Sequence, residues 1–271
     1  MTPSEIRELL ARHGVRPSKA LGQNFLADEN TARRIVRLAG LHAGDRVVEV
    51  GPGIGSLTVA LADAGAHVCA VEIDRHLIPI LGEVVAGTDV EVVHDDALRV
   101  DWAARLGSGA GGPAPWIMVA NLPYNVATSV VIRALETAPM IGRMLVMVQR
   151  EVGERLAAGV GDDAYGAVSV KIAYYATARV VGTVSPNVFV PKPKVESALV
   201  ELVRHDHPPV AVRDGDRLFE LVRAGFATRR KTLRNTLDGR VDAAGFVRAG
   251  VDPGARAETL SLAEWARLAD A

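Results

Sequence analysis

Glu49-Val50-Gly51-Pro52-Gly53-Ile54-Gly55 is the stretch on which the fold turns. The run Arg46–Val50 that leads into it is short, apolar and β-branched, and Leu57–Ala64 beyond it has helical spacing. The glycines between them mark a tight strand-to-helix turn whose bare backbone lets a ligand approach. Outward from this point, strand runs read at His67–Val71, Val90–His94, Trp116–Ala120 and Met144–Val148, with longer ones at Arg179–Val184 and Ala198–Val203. The early strands alternate only weakly, as in a parallel sheet covered by helices on both faces. The expected fold is α/β, a Rossmann-like doubly wound sheet.

Ahead of the first long strand, Asp28 reads as the N-cap of a helix through Ala39 that Gly40 ends, and residues 1–15 read as a further helix. After Arg204, His205-Asp206-His207-Pro208-Pro209 reads as a linker, and the remainder has helical spacing without a strand. The expected division is 1–27 as an N-terminal helix and capping segment, 28–205 as the α/β domain, and 210–271 as a small all-helical domain. At 271 residues and 49% apolar content the chain is long and apolar enough to exclude a disordered protein. Lys plus Arg at 31 against Asp plus Glu at 32 leaves a charge of −1, so any polyanion site must be local. The single cysteine, Cys69, excludes an internal disulfide and a cysteine-based zinc cluster. No metal is expected, and a reducing, cytoplasmic setting is, with no export signal at Met1–Glu5. Leu106–Ile132 carries no charge, yet its glycines, prolines and Asn121, Asn125, Thr128 and Ser129 make it loop, strand, loop and helix rather than a membrane span. Gly107–Gly112 reads as a surface loop.

Polar residues recur at the ends of successive strands: Glu49, Glu72, Asp96 and Asn121, at intervals of 23, 24 and 25. In a doubly wound sheet these positions share the carboxyl edge and line one crevice. A carboxylate after the second strand can accept both ribose hydroxyls, and one after the third can accept an adenine amino group. A nucleoside-containing cofactor is expected, and both a nicotinamide dinucleotide and S-adenosylmethionine fit. Ser56 stands where a G-x-G-x-x-G dinucleotide fingerprint has its last glycine, which disfavours the former. At the fourth strand stands Asn121-Leu122-Pro123-Tyr124-Asn125. An exocyclic amino group of a base is a poor nucleophile, its lone pair being delocalised into the ring. The Asn121 side-chain oxygen and the Leu122 carbonyl can accept its hydrogens while Tyr124 stacks on the flipped base and Pro123 stiffens the turn.

Gly22-Gln23-Asn24-Phe25-Leu26, Glu49–Gly55, Glu72, Asp96-Ala97, Asn121–Asn125, Phe189–Ser197, Arg229–Asn235 and Arg256-Ala257-Glu258 together resemble the small-subunit ribosomal RNA adenine dimethyltransferases, the KsgA/RsmA family, over about residues 16–265. The resemblance implies a class I methyltransferase sheet, S-adenosylmethionine as methyl donor, and two methyl groups placed on each of two adjacent adenosines in a hairpin loop near the 3′ end of 16S rRNA. It implies the pre-small-subunit particle as partner, late assembly as the setting, and a monomer. Gln23, Asn24, Leu26, Gly51, Gly53, Glu72, Asp96 and Asn121 are then expected to contact the cofactor, and Asn121, Leu122 and Tyr124 to hold the target base, with Phe189 on its other face.

The same resemblance places RNA on Arg229, Arg230, Lys231 and Arg234. Residues 221–240 carry Arg223, Arg229, Arg230, Lys231, Arg234 and Arg240 against Asp238, a local +5 that the rest of the chain must offset. A helix carrying Arg230, Lys231 and Arg234 at i, i+1 and i+4 would give one face for phosphates. Arg16, Lys19, Lys192 and Lys194 extend the track. Val160-Gly161-Asp162-Asp163 departs from the family, which has Pro-Gly and then Lys there, so phosphate contact is expected to be weaker at that loop. Two other readings stand beside this one. A resistance-type methyltransferase acting on one large-subunit adenosine is disfavoured by a pI near 6.7, and a non-catalytic RNA-binding assembly factor by the intact base and cofactor residues.

Overall fold

Buried Val47, Val48, Val68, Val71, Val119 and Val146 stack into the middle of a seven-stranded sheet. The structure is a computed structural model describing residues 1–107, 115–228 and 230–271. Its elements run α1 (Pro3–Arg12), β1 (Phe25–Leu26), α2 (Glu29–Ala39), β2 (Arg46–Val50), α3 (Ser56–Asp63), β3 (His67–Glu72), α4 (Ile78–Val84), β4 (Val90–His94), α5 (Trp102–Leu106), β5 (Trp116–Asn121), α6 (Ala127–Thr137) and β6 (Ile141–Gln149). There follow α7 (Arg150–Ala157), α8 (Ala167–Tyr175), β7 (Ala176–Val184), β8 (Phe189–Val190), β9 (Ser197–Arg204), α9 (Gly215–Phe226), α10 (Leu233–Thr236), α11 (Ala243–Ala249) and α12 (Leu262–Asp270).

The strand order is β4-β3-β2-β5-β6-β9-β7. The β2·β3, β3·β4, β2·β5 and β5·β6 pairs are parallel and β6·β9 is antiparallel. Chain order reverses at β2, which has β3 on one side and β5 on the other. A crevice opens at such a switch point, outside the carboxyl ends of the strands. The expected α/β doubly wound sheet is thus present, and the expected Asp28 cap holds: its carboxylate accepts from Thr31 N at 2.7 Å, and Gly40 ends α2 in the left-handed region.

The chain divides into two compact units, Met1–Gly153 with Arg179–Arg204, and Glu154–Ala178 with His205–Ala271. In the first, α1 starts on a capping box of Thr2 and Glu5, and Ile6 and Leu10 pack with Phe25, Ile54, Leu77 and Ile80. Residues 1–27 therefore share a core with the sheet domain instead of standing apart. In the second, Leu218, Leu221, Val222, Leu233, Leu237, Phe246 and Trp265 build a helical core. This unit takes in Glu154–Ala178, which the sequence expectation assigns to residues 28–205, because Tyr165 and Val170 belong to the helical core. Asp162 in that stretch closes a turn, its carboxylate accepting from Gly159 N at 2.8 Å. Of the expected 107–112 loop, all but Gly107 lies outside the described residues. No helix among the described residues is long and apolar enough to cross a membrane, and no metal-ligand cluster is found among them.

Candidate active site

The glycine turn works as the sequence suggests. Gly51 and Gly53 take φ of +69° and +61°. A Cβ on Gly53 would lie 2.9 Å from Phe25 Cδ1, and one on Gly51 3.3 Å from Pro123 Cδ, so a side chain is strained at both positions and would also force Phe25 to shift at Gly53. Gly53 N–H donates to Glu72 Oε2 at 3.0 Å and Asp74 N–H to Oε1 at 2.8 Å, fixing the carboxylate at the end of β3. Glu72 is buried, and burial raises its pKa above the usual carboxylate value against the pull of these bonds. Glu49 is 1% exposed and lines the same cavity, and its Oε2 has no hydrogen-bond partner in the protein. Burial pushes it up to about 8, the Thr58 hydroxyl opposing and the nearby Glu72 adding.

Asp96 also lines the cavity, half-buried and held in a turn in which its Oδ1 accepts from Leu98 N at 2.9 Å. Residues Leu21–Leu26 line the same cavity as a wall that is pinned, not free. Asn125 Nδ2 donates to Ala20 O at 3.2 Å, and Asn121 Nδ2 to Asn24 O at 3.2 Å. Leu26 pairs with Phe189 across the short β1·β8 ladder. Gln23 lines the cavity, but both ends of its amide are engaged: Nε2 donates to Asp74 Oδ2 at 2.7 Å, and Oε1 accepts from Ser18 N at 2.7 Å.

Asn121, Leu122 and Tyr124 follow from β5 into the same cavity. The Asn24 carbonyl takes the Asn121 amide N–H, which leaves the amide oxygen as the acceptor. Leu122 is buried with its N–H on Met147 O at 3.0 Å. Tyr124 is half-buried, and its hydroxyl shares a 2.8 Å hydrogen bond with Ser197, which is fully buried at the start of β9. Phe189 is not among the cavity-lining residues; it is 3% exposed and packs in the sheet core with Leu26 and Val184. The sequence does not flag Asp74, whose partner lies 51 residues away and which reads as an ordinary surface acid beside Glu72.

In the helical unit, the expected helix through Arg230, Lys231 and Arg234 is not formed. Helix α10 spans only Leu233–Thr236, and Lys231 N donates to Thr228 O in a turn. Thr232 is extended, while Leu233 N and Arg234 N bond Ala255 O and Pro253 O, so the loop at 253–255 takes the donors at the helix start. The helical spacing that governs here is that of buried Leu233 and Leu237, not of the basic residues. Arg230, Lys231 and Arg234 are exposed, Arg240 pairs with Glu220 at 3.2 Å, and Arg229 lies outside the described residues.

The cavity therefore suits a nucleoside cofactor with a cationic part: paired acceptors on Glu72, an acceptor at Asp96, a glycine cradle, and an unpartnered buried carboxylate oxygen on Glu49. A family model described as Ribosomal RNA adenine dimethylase matches residues 15–271. A Streptomyces coelicolor protein named Ribosomal RNA small subunit methyltransferase A is 48% identical over 279 residues, covering 99% of this chain and 95% of that one. A Geobacillus thermodenitrificans protein of the same name is 43% identical over 280 residues, covering 100% and 96%. Among solved structures, the 23S rRNA methyltransferase ErmE is 29% identical with a TM-score of 0.68, covering 91% of this chain and 98% of that one. A dimethyladenosine transferase from Plasmodium falciparum, 22% identical with a TM-score of 0.73 over 90% of this chain and 95% of its own, shares the fold. On sequence along nearly its whole length, and on the fold it adopts, this chain belongs to the ribosomal RNA adenine dimethylase family.

Proposed function

We propose that this chain dimethylates the 6-amino groups of two adjacent adenosines in the 3′-terminal hairpin loop of small-subunit (16S) rRNA, using S-adenosylmethionine, as a cytoplasmic monomer acting on the pre-small-subunit particle. The observation that carries the reading is the Asn121 amide, oriented by the Asn24 carbonyl in the cavity that also holds Glu72 and the glycine turn. Relatives at 43–48% identity along the whole chain are named small-subunit methyltransferases, which favours that substrate over the large-subunit one named for ErmE at 29%.

S-adenosylmethionine supplies a methyl group already activated on a sulfonium. Glu72 would hold the ribose hydroxyls and Asp96 the adenine amino group, the backbone of Gly51 and Gly53 would allow close approach, and Asn24 and Leu26 would wall the cofactor in. Asn121 Oδ1 and the Leu122 carbonyl accept the hydrogens of the target amino group and localise its lone pair toward the methyl carbon, while Tyr124 stacks on the base. No strong base is required, because the alkylated amine is acidic and loses its proton to water. Positioning carries the rate.

The test is incubation of the protein with labelled S-adenosylmethionine and unmodified small- or large-subunit particles, followed by mapping of dimethyladenosine. Label in two adjacent small-subunit adenosines supports the reading; label in the large subunit alone overturns it. Asn121→Ala is expected to lower methyl transfer by 100-fold or more, in line with loss of a transition-state acceptor, with RNA binding kept; near-normal turnover would remove Asn121 from the reaction.

A further inference from the structure

The Leu21–Leu26 wall is not part of the central sheet: its end is held by the two-residue β1·β8 ladder and by buried Phe25 and Leu26, and the part before Phe25 by side-chain hydrogen bonds. In that part, Gln23 Nε2 donates to Asp74 Oδ2 at 2.7 Å, shorter than the 3.2 Å of Asn121 Nδ2 on Asn24 O and of Asn125 Nδ2 on Ala20 O. Gln23 passes the connection back along the wall, since its Oε1 accepts from Ser18 N at 2.7 Å. Asp74 passes it onward. Its Oδ1 accepts from His76 N at 3.0 Å, and its own N–H donates to Glu72 Oε1 at 2.8 Å. Glu72 Oε2 in turn accepts from Gly53 N at 3.0 Å. One unbroken hydrogen-bonded path thus runs from Ser18 through Gln23, Asp74 and Glu72 to the glycine turn.

We propose that Gln23 and Asp74 are positioning residues for the cofactor: their side-chain bond latches the 18–26 wall to the end of β3 and holds the Glu72 carboxylate ready for the ribose. This rests on the reading that the cavity takes S-adenosylmethionine. With one hydrogen bond at each end of its amide, Gln23 is held in a fixed orientation that ties residue 18 to residue 74, and its contribution is to the wall. A wall ordered before binding lowers the entropy cost of closing on a ligand. A half-buried hydrogen bond to a carboxylate is worth roughly tenfold in an equilibrium constant.

The pair permits a test by exchange of polarity. Gln23→Glu sets two carboxylates against each other and leaves no donor between them. Adding Asp74→Asn restores a donor: the Asn amide N–H reaches the Glu carboxylate, its oxygen still accepts from His76 N, and the other Glu oxygen still accepts from Ser18 N. Binding of S-adenosylmethionine, measured directly by calorimetry without RNA, is expected to weaken about tenfold in Q23E and to return to within about threefold of wild type in Q23E/D74N. The added negative charge in Q23E would by itself favour a net cationic cofactor, so weakening cannot come from long-range electrostatics. Trypsin cleavage after exposed Lys19 gives a second readout: it should be faster in Q23E and slow again in the double variant. In turnover, the KM for the cofactor should rise in Q23E while the KM for RNA does not. Wild-type affinity in Q23E, or a double variant as weak as Q23E, overturns the latch. A wild-type protein that binds no S-adenosylmethionine would overturn the functional reading and the latch with it.

Discussion

At the scale of single residues, two buried side chains carry further consequences: Glu49, which lines the cavity, and Ser197, which bonds Tyr124. Glu49 titrates near 8 in the cofactor-free protein, above its ordinary value of 4.5, because burial disfavours its charge. With the folded value raised, its stabilising contribution is whole below about pH 4.5 and is lost as pH climbs to about 8, since the unfolded chain ionises first. The loss runs at up to about 1.4 kcal/mol per pH unit. Glu49→Gln is therefore expected to melt at the same temperature as wild type near pH 4.5 and several degrees higher at pH 8 when the cofactor is absent; parallel melting curves would show that Glu49 does not titrate there. Ser197 is fully buried and bonds the Tyr124 hydroxyl. Ser197→Ala leaves that hydroxyl without its partner at a cost of about 1 kcal/mol. Steady-state assays should show methyl transfer reduced about fivefold with cofactor affinity unchanged, and a full rate would mean that Tyr124 holds its place without Ser197.

Among the elements, helix ends are closed by arginines from distant strands. Arg204, in β9, donates to Ala134 O, Leu135 O and Ala138 O at the end of α6, and to Ile141 O at the start of β6, at 2.9–3.2 Å. A cation at a helix C-terminus adds a charged donor to the last carbonyls and interacts favourably with the helix dipole. Arg143 in β6 bonds Ala39 O at the end of α2 in the same way. Ala134 O and Ala138 O also accept the backbone N–H groups of Ala138 and Ile141, so Arg204→Ala takes a charged donor from four carbonyls of buried residues without leaving all of them bare, and should cost about 2 kcal/mol in urea unfolding; a change under about 0.5 kcal/mol would mean that water replaces it. The Asp28 cap of α2 could be read from sequence because cap and helix are neighbours. The Arg204 cap could not, for its partners stand 63–70 positions away.

Over the whole molecule, a formal charge of −1 conceals the basic run 221–240. The turn that presents Arg230 and Lys231 is exposed, which keeps both available to phosphates even though they are not on a helix. Each phosphate contact contributes about 0.7–0.9 to the slope of log affinity against log salt. The double variant Arg230→Glu with Lys231→Glu is expected to weaken rRNA binding and flatten that slope by about 1.5 in filter-binding titrations; an unchanged slope would move the RNA site to another surface.

The positions of the strands along the chain, the glycine turn and the series Glu49, Glu72, Asp96 and Asn121 follow from sequence alone, because each depends on local periodicity or on a spacing that a doubly wound sheet imposes. The family followed from motifs that are contiguous in the chain. Tertiary structure alone decided the rest. It placed Phe189 in the core, ended the basic helix before it began by giving its donors to residues 253–255, and drew Glu154–Ala178 into the helical unit. It also engaged Gln23 with Asp74 and Tyr124 with Ser197. These outcomes hang on hydrogen bonds and packing between residues far apart in sequence, and no spacing rule along one chain encodes which distant partner a buried polar group will find.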